Sequence, residues 1–192
     1  SPSPYLQDGK LFLHFGAYGN ACIDSESGDI IWKNDEKKLW IMHENGPGSS
    51  PILWKNLMIF HLDGSDRQSI VALHKDSGKI AWQTTRSGEM RENPQLQKSY
   101  STPIIKKFNG QPVLISCAAD WVYGYNPENG KELWKAKEQE VSPQGYPVIA
   151  NKKLYVPNSR SQPLVFDLKD GKLLKKFDGA GGTYISFNDD AL

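Results

Sequence analysis

Asp24-Ser-Glu-Ser-Gly28-Asp-Ile-Ile-Trp32 is the first of four related stretches that decide the fold. The others are His74-Lys-Asp-Ser-Gly78-Lys-Ile-Ala-Trp82, Asn126-Pro-Glu-Asn-Gly130-Lys-Glu-Leu-Trp134 and Asp167-Leu-Lys-Asp-Gly171-Lys-Leu-Leu-Lys-Lys-Phe177. Each reads as a tight turn closed by glycine, the residue that takes a positive φ without strain, followed by a strand carrying an aromatic. Asp24, Asn126 and Asp167 can close an Asx-type turn with their own side chains; His74 cannot. A unit of strands and turns that recurs roughly every 40 to 50 residues signals a repeat architecture.

Reading back from each glycine gives one order: a first strand opened by proline, a second apolar strand, a short third strand, the glycine turn and the aromatic strand. In the second repeat these are Ser50-Pro51-Ile52-Leu53, Leu57 to Leu62, Ser69 to Leu73 and Lys79 to Thr84. The other first strands begin at Ser3-Pro4, Thr102-Pro103 and Tyr146-Pro147. This is a four-stranded antiparallel meander. Trp32, Trp82 and Trp134 are expected to wedge between neighbouring sheets, and Phe177, two residues further along but on the same strand face, is expected to be the fourth wedge. Cys22, Ala72, Gly124 and Val165, six residues before each glycine, are small or medium and leave room for the ring.

Four-stranded sheets stacked radially make an all-β propeller. The blades are expected at about 3–35, 49–85, 100–137 and 145–178, with 179–192 starting a fifth, as part of a ring of about seven or eight blades.

Among the 192 residues, 23 Lys and Arg balance 22 Asp and Glu, for a net charge of +1, so the chain lacks the basic field that nucleic-acid binding requires. No apolar stretch is long enough for a membrane span, and Ser1-Pro2-Ser3-Pro4 does not read as a signal peptide. Cys22 and Cys117 fall in different repeats in apolar surroundings and are expected to be buried thiols.

In such a meander the loops between strands one and two and between strands three and four share one side and are short here. The other side carries the blade connections 33–48, 85–100 and 136–145 and the inner loops 16–20, 63–68, 118–120 and 158–162. Binding usually lives on long loops held by a rigid scaffold. The candidate groups on this side are Trp40, His43, Glu44, Asp63, Asp66, Arg67, Arg91, Asp120 and Arg160. His14 and His61 hold matching places near the ends of adjacent second strands and, with Asp63, are a candidate metal set. Trp40, Tyr18, Trp121 and Tyr184 are candidates for stacking on sugar rings. No nucleophile elbow, zinc-protease helix motif, phosphate loop or Cys-x-x-Cys is present.

The stretch Ala72 to Trp82 and, more loosely, Cys22 to Trp32 and Gly124 to Trp134 resemble the Ala-x-Asp-x-x-x-Gly-x-x-x-Trp hairpin of the quinoprotein-type (PQQ-like) β-propeller repeat family. His14 to Asp24, Gly46 to Pro51 and His61 to Asp66 resemble a subgroup of exported propellers common in planctomycete-type bacteria. The resemblance implies two kinds of relative: alcohol dehydrogenases that use pyrroloquinoline quinone (PQQ) with Ca²⁺, and scaffolds such as the outer-membrane assembly lipoprotein, which bind partners without a cofactor. The dehydrogenases hold the quinone under an adjacent Cys-Cys disulfide, and this chain has no adjacent cysteines.

The expectation is a binding scaffold in the periplasm or at the cell surface, with no cofactor, engaging protein or polysaccharide partners through the long-loop side. Its open edges would be covered by further blades or by self-association. The alternatives are a quinone- or metal-dependent oxidoreductase acting on alcohols or sugars and a carbohydrate-binding propeller.

Overall fold

The computed structural model describes residues 2–43, 46–138, 145–158 and 162–178. Within them, sixteen strands form four separate antiparallel meanders. The first contains β1 (Tyr5–Gln7), β2 (Lys10–His14), β3 (Asn20–Asp24) and β4 (Ile30–Asn34). The second contains β5 (Ile52–Trp54), β6 (Leu57–Asp63), β7 (Gln68–His74) and β8 (Ile80–Thr85). The third contains β9 (Ile104–Phe108), β10 (Gln111–Ala118), β11 (Trp121–Tyr125) and β12 (Glu132–Lys137). The fourth contains β13 (Val148–Ala150), β14 (Lys153–Val156), β15 (Leu164–Asp167) and β16 (Leu173–Lys176). The expected fifth start, 179–192, lies outside the described residues.

Burial follows from stacking. All seven residues of β6 are buried, because neighbouring sheets cover both of its faces. Such a strand must read as an almost continuous apolar run, as Leu57-Met-Ile-Phe-His-Leu does. One of its faces joins Phe12, Cys22 and Trp32 of the first sheet through Met58, Phe60 and Leu62. The other joins Leu114, Tyr123 and Tyr125 of the third sheet through Leu57 and Ile59. A third cluster, including Ile115, Trp134, Leu154 and Phe166, fills the junction of the third and fourth sheets.

Each junction is fastened by the same device. Trp32 lies over Gly78, Trp82 over Gly130 and Trp134 over Gly171, so that a Cβ added to these glycines would meet ring carbons at 2.4, 2.5 and 2.5 Å. Glycine is therefore required twice over: the turn needs φ near +70°, and the indole occupies the space a side chain would take. Trp32 Nε1 donates to Lys75 O at 2.7 Å and Trp82 Nε1 to Pro127 O at 3.1 Å, each acceptor three residues before the glycine. The third indole lies over Gly171 without such a bond among the described residues. Two residues past the first two wedges, Asn34 Nδ2 and Thr84 Oγ1 donate to the same glycines' carbonyls, both at 2.7 Å.

The sheets share an irregularity that the hairpin sequences do not advertise. In all four, the third and fourth strands shift register at one place, between Cys22 and Ile23, Ala72 and Leu73, Gly124 and Tyr125, and Val165 and Phe166. This bulge leaves one extra residue on the outer strand and sets Trp32 opposite Cys22, Trp82 opposite Ala72 and Trp134 opposite Gly124. In the fourth sheet the residue opposite Val165 is Lys175. Phe177 sits two residues further out, where the first two sheets carry Asn34 and Thr84, and stacks on Tyr155 at 6.4 Å. The wedge position of the fourth sheet is thus a lysine, a correction to the expectation placed on Phe177.

A second belt crosses the sheets where the prolines open them. Ser3 N donates to Ser50 Oγ, Ser50 N to Thr102 Oγ1, and Thr102 Oγ1 to Tyr146 Oη. These residues precede Pro4, Pro51, Pro103 and Pro147, and a residue before proline is held extended. Cys22 and Cys117 are buried within the sheets.

Trp82→Ala should cost roughly 3–5 kcal/mol in urea unfolding. Gly130→Ala should destabilise the wild-type chain and cost markedly less in the Trp82→Ala background, where the strain of the positive φ and the approach of Thr84 Oγ1 remain.

Candidate binding face and the buried network beneath it

The turns between strands one and two and between strands three and four bond to each other in three sheets, through Ser25 N to Gly9 O, Lys75 N to Asn56 O and Leu168 N to Lys152 O. This makes one side uniform and tied off. The long loops emerge on the other side, and their polar groups bind one another. In the first connection, Met42 N donates to Asp66 Oδ1 at 2.7 Å, Ser65 N donates to Met42 O, and Arg67 Nη1 donates to Lys38 O at 2.9 Å. Trp40, 45% exposed, donates from Nε1 to Asp35 O, while its neighbours Leu39 and Ile41 are buried in the first junction. His43 meets the ring of Tyr100 edge-on at 5.0 Å.

In the second connection Arg91 grips Asp120 with two bonds of 2.6 Å. Asp120 is almost wholly buried and holds a positive φ of 62°, a backbone state that Asp tolerates better than most residues. Side-chain bonding to Asp120 raises the Arg91 pKa above its ordinary value. An open cleft of about 530 Å³ lies beside this pair, lined by Glu89, Met90, Arg91, Glu92, Asp120 and Lys137. Trp121 is half-buried, donates to Glu89 O and has Lys135 and Lys137 over its ring. Glu44, Arg160 and Tyr184 lie outside the described residues.

Beneath these loops lies a buried network that the sequence did not announce. Arg86, the first residue past β8, binds both oxygens of Asp63 at 2.7 Å and Ser116 Oγ at 2.9 Å. Ser116 Oγ also shares a hydrogen bond of 2.8 Å with His61 Nε2. All four side chains are buried. Burial opposes the Arg86 charge, but the Asp63 carboxylate more than offsets it, and the guanidinium pKa lies above its ordinary value. Burial pushes the Asp63 carboxyl up against the pull of Arg86.

Ser116, His61 and Asp63 are residue types of a hydrolase triad, but their geometry does other work. His61 Nδ1 is 3.9 Å from Asp63 Oδ2, beyond hydrogen-bonding range, because both carboxylate oxygens face Arg86. The carboxylate therefore makes no hydrogen bond that would orient the imidazole, as a triad requires. The cluster is a strut joining the second and third sheets.

His14, on the first sheet, stacks on Phe60 at 4.2 Å and donates from Nδ1 to Asn20 Oδ1 at 2.8 Å. The described residues contain no group of three His, Cys, Asp or Glu side chains placed to hold a metal ion, so His14, His61 and Asp63 come near one another without forming a ligand set. The one signal of Arg86 in the sequence is its position. Four residues past each wedge stands a charge, Glu36, Arg86 and Glu138, and the last two are buried.

Arg86→Met should cost roughly 3–5 kcal/mol, since it strands the buried carboxylate, and adding Asp63→Leu should recover much of that in equilibrium unfolding. Burial lowers the His14 pKa from 6.5 to about 4, and burial followed by the Arg86 charge lowers that of His61 well below 6.5. The unfolded chain therefore takes up protons first: stability is full above pH 6.5 and falls as pH drops toward 4, by roughly 3 kcal/mol for His14 alone. His14→Gln should flatten this slope in urea titrations across that range.

The comparisons agree with this architecture. A quinoprotein alcohol dehydrogenase, PedH of Pseudomonas putida, is 29% identical over 144 residues, which are 68% of this chain and 22% of that relative. BamB from Moraxella catarrhalis superposes with a TM-score of 0.64 at 14% identity, over 88% of this chain and 50% of that one. A europium-containing methanol dehydrogenase superposes with a TM-score of 0.72 at 11% identity, over 91% of this chain and 40% of that one. The chain thus spans about a fifth of the curated relative and no more than half of these two solved structures. Residues 17–176 match the PQQ_2 family model, described as outer membrane protein assembly factor BamB, and with its four meanders the chain belongs to that family of PQQ-like β-propeller repeats.

Proposed function

We propose that this chain is part of a non-catalytic propeller scaffold that engages a protein partner through the long-loop side of its first two blades. The observation that carries this reading is the cluster of exposed apolar side chains on that side. The charged groups Asp66, Arg67, Arg91 and Asp120 are engaged in hydrogen bonds that tie loops together, with Asp120 buried and the other three at the surface. The large apolar side chains Phe15, Tyr18, Trp40 and Met42 are left exposed, Tyr18 at 86% and Met42 at 67%.

These four stand on loops that touch. A Cβ on Gly16 would meet the ring of Pro47, and one on Gly19 would meet Asn34 O and Asp35, whose carbonyl holds Trp40. Aromatic and thioether groups on a rigid frame favour protein contacts, with Trp and Tyr as anchors. The exposed rings also keep polysaccharide recognition as a rival ligand class.

The quinone-dependent reading draws on PedH and the methanol dehydrogenase, whose names state such chemistry. Its weakness in this chain is the lack of adjacent cysteines. The description of the family model and the likeness to BamB support an extracytoplasmic place and a role beside other envelope proteins. No described helix is long and apolar enough to cross a membrane.

Tyr18→Glu with Met42→Glu should leave the urea midpoint nearly unchanged, within about 0.5 kcal/mol, because both side chains lie in solvent. The pair should abolish crosslinking to a partner protein that the wild-type chain captures from an envelope fraction. Unchanged crosslinking would refute the assignment of this side. A parallel titration with PQQ and Ca²⁺, read by tryptophan quenching and dye reduction with alcohols, should show no saturable turnover; turnover would favour the oxidoreductase.

A further inference from the structure

The three methionines occupy three different settings. Met58 lies wholly buried in the first apolar cluster, Met90 is half-buried in the cleft beside Arg91, and Met42 is 67% exposed. Its backbone is nevertheless pinned. Met42 N donates to Asp66 Oδ1 at 2.7 Å, and Met42 O accepts from Ser65 N at 2.8 Å and from Ser65 Oγ at 3.1 Å. A Cβ on Gly64 would lie 2.7 Å from that same carbonyl, so the inner loop of the second sheet packs directly against the connection from the first. Met42 thus sits on a seam whose two walls, the connection and the loop 63–68, are both in place.

The backbone also sets the direction of the side chain. Trp40 is extended, with φ −77° and ψ 142°, and alternate residues of an extended segment point to opposite sides. Leu39 and Ile41 enter the junction of the first two sheets, whereas Trp40 and Met42 are exposed. The thioether therefore shares a side with the indole, on a frame held by three hydrogen bonds, and contributes to none of the three apolar clusters.

A thioether so placed is the most accessible oxidisable sulfur of the chain. Cys22 and Cys117 are buried, and burial holds the Cys22 thiol above its ordinary range, where it is a poor nucleophile. Hydrogen peroxide transfers one oxygen atom to a thioether: the S–O bond forms from a sulfur lone pair as the O–O bond breaks, and water leaves. The sulfur is oxidised by two electrons and the peroxide reduced by two. The sulfoxide is polar and chiral, and two reductases, one for each epimer, return it to the thioether. Its oxygen is well hydrated, and an apolar partner surface closing over it would strip that water without offering a donor.

We infer, on the basis of the docking side proposed above, that Met42 is a reversible oxidation site whose sulfoxide turns the exposed patch from apolar to polar and releases the partner under peroxide. The fold is untouched by the switch, because Leu39 and Ile41, not Met42, anchor the connection in the core.

The test treats the full chain with graded hydrogen peroxide and follows peptide mass, retention on a phenyl matrix, the urea midpoint and crosslinking to the envelope partner. The Met42 peptide should gain about 16 Da, one oxygen, before the Met90 peptide and long before that of Met58. The singly oxidised chain should keep its urea midpoint, leave the phenyl matrix earlier and lose crosslinking roughly tenfold or more. Both sulfoxide reductases with dithiothreitol should restore retention and crosslinking. Met90→Leu should respond to peroxide as the wild-type chain does, and Met42→Leu should not respond. Oxidation of Met90 first, retention and crosslinking indifferent to the Met42 sulfoxide, or an equal peroxide response in Met42→Leu would each overturn the switch. If the reduced chain crosslinks to no partner, the docking reading is what fails; the phenyl matrix then still reads the patch, and unchanged retention there would overturn the switch as well.

Discussion

The docking of an indole over a glycine is the contact on which the array depends. A single sheet of four short strands cannot bury both faces, and these sheets acquire their cores only by stacking. The wedge sets the distance and angle of each stack. It fixes one ring over one glycine of the next turn and, at the first two junctions, supplies a hydrogen bond that allows only one depth of insertion. The three apolar clusters then fill the space that the wedges define.

Much of this was legible in the chain. Glycine four residues before tryptophan in three repeats, an Asx residue four before the glycine in three, and proline at each first strand carry local chemistry strong enough to place the strands of four meanders with small errors at their ends. Phe177 was misassigned because the two-residue period puts positions four and six past the glycine on one face, and the aromatic was followed in place of the lysine. One extra residue on the outer strand sets the residue four past the glycine opposite the small residue six before it, and counting from the aromatic instead of from the glycine moves the fourth wedge by two residues. Lys175 had no aromatic signature to draw attention to it.

The candidate site was legible in a different and weaker way. The side of the propeller with long loops followed from connectivity, but the roles of its charged residues did not. Asp66, Arg67, Arg91 and Asp120 read as solvated loop groups, and in the fold each is committed to a partner within the same surface. Whether a charge is wet or bonded depends on contacts between loops far apart in sequence, such as Arg91 with Asp120, and no local pattern encodes these. Arg86 is the clearest case: its partners Asp63 and Ser116 come from two different sheets.

The Arg86 strut also gives the second junction an address. A repeat protein whose wedges and sockets are interchangeable is exposed to misassembly, since any blade could accept any neighbour. At this seam the guanidinium is wholly buried and needs both a carboxylate at the end of β6 and a hydroxyl on β10. A blade with another residue in place of Ser116, such as Val156 at the corresponding register position of the fourth sheet, would leave part of that guanidinium unsatisfied in a dry seam. The tryptophans make the blades alike enough to stack, and the buried charges make them different enough to stack in only one order.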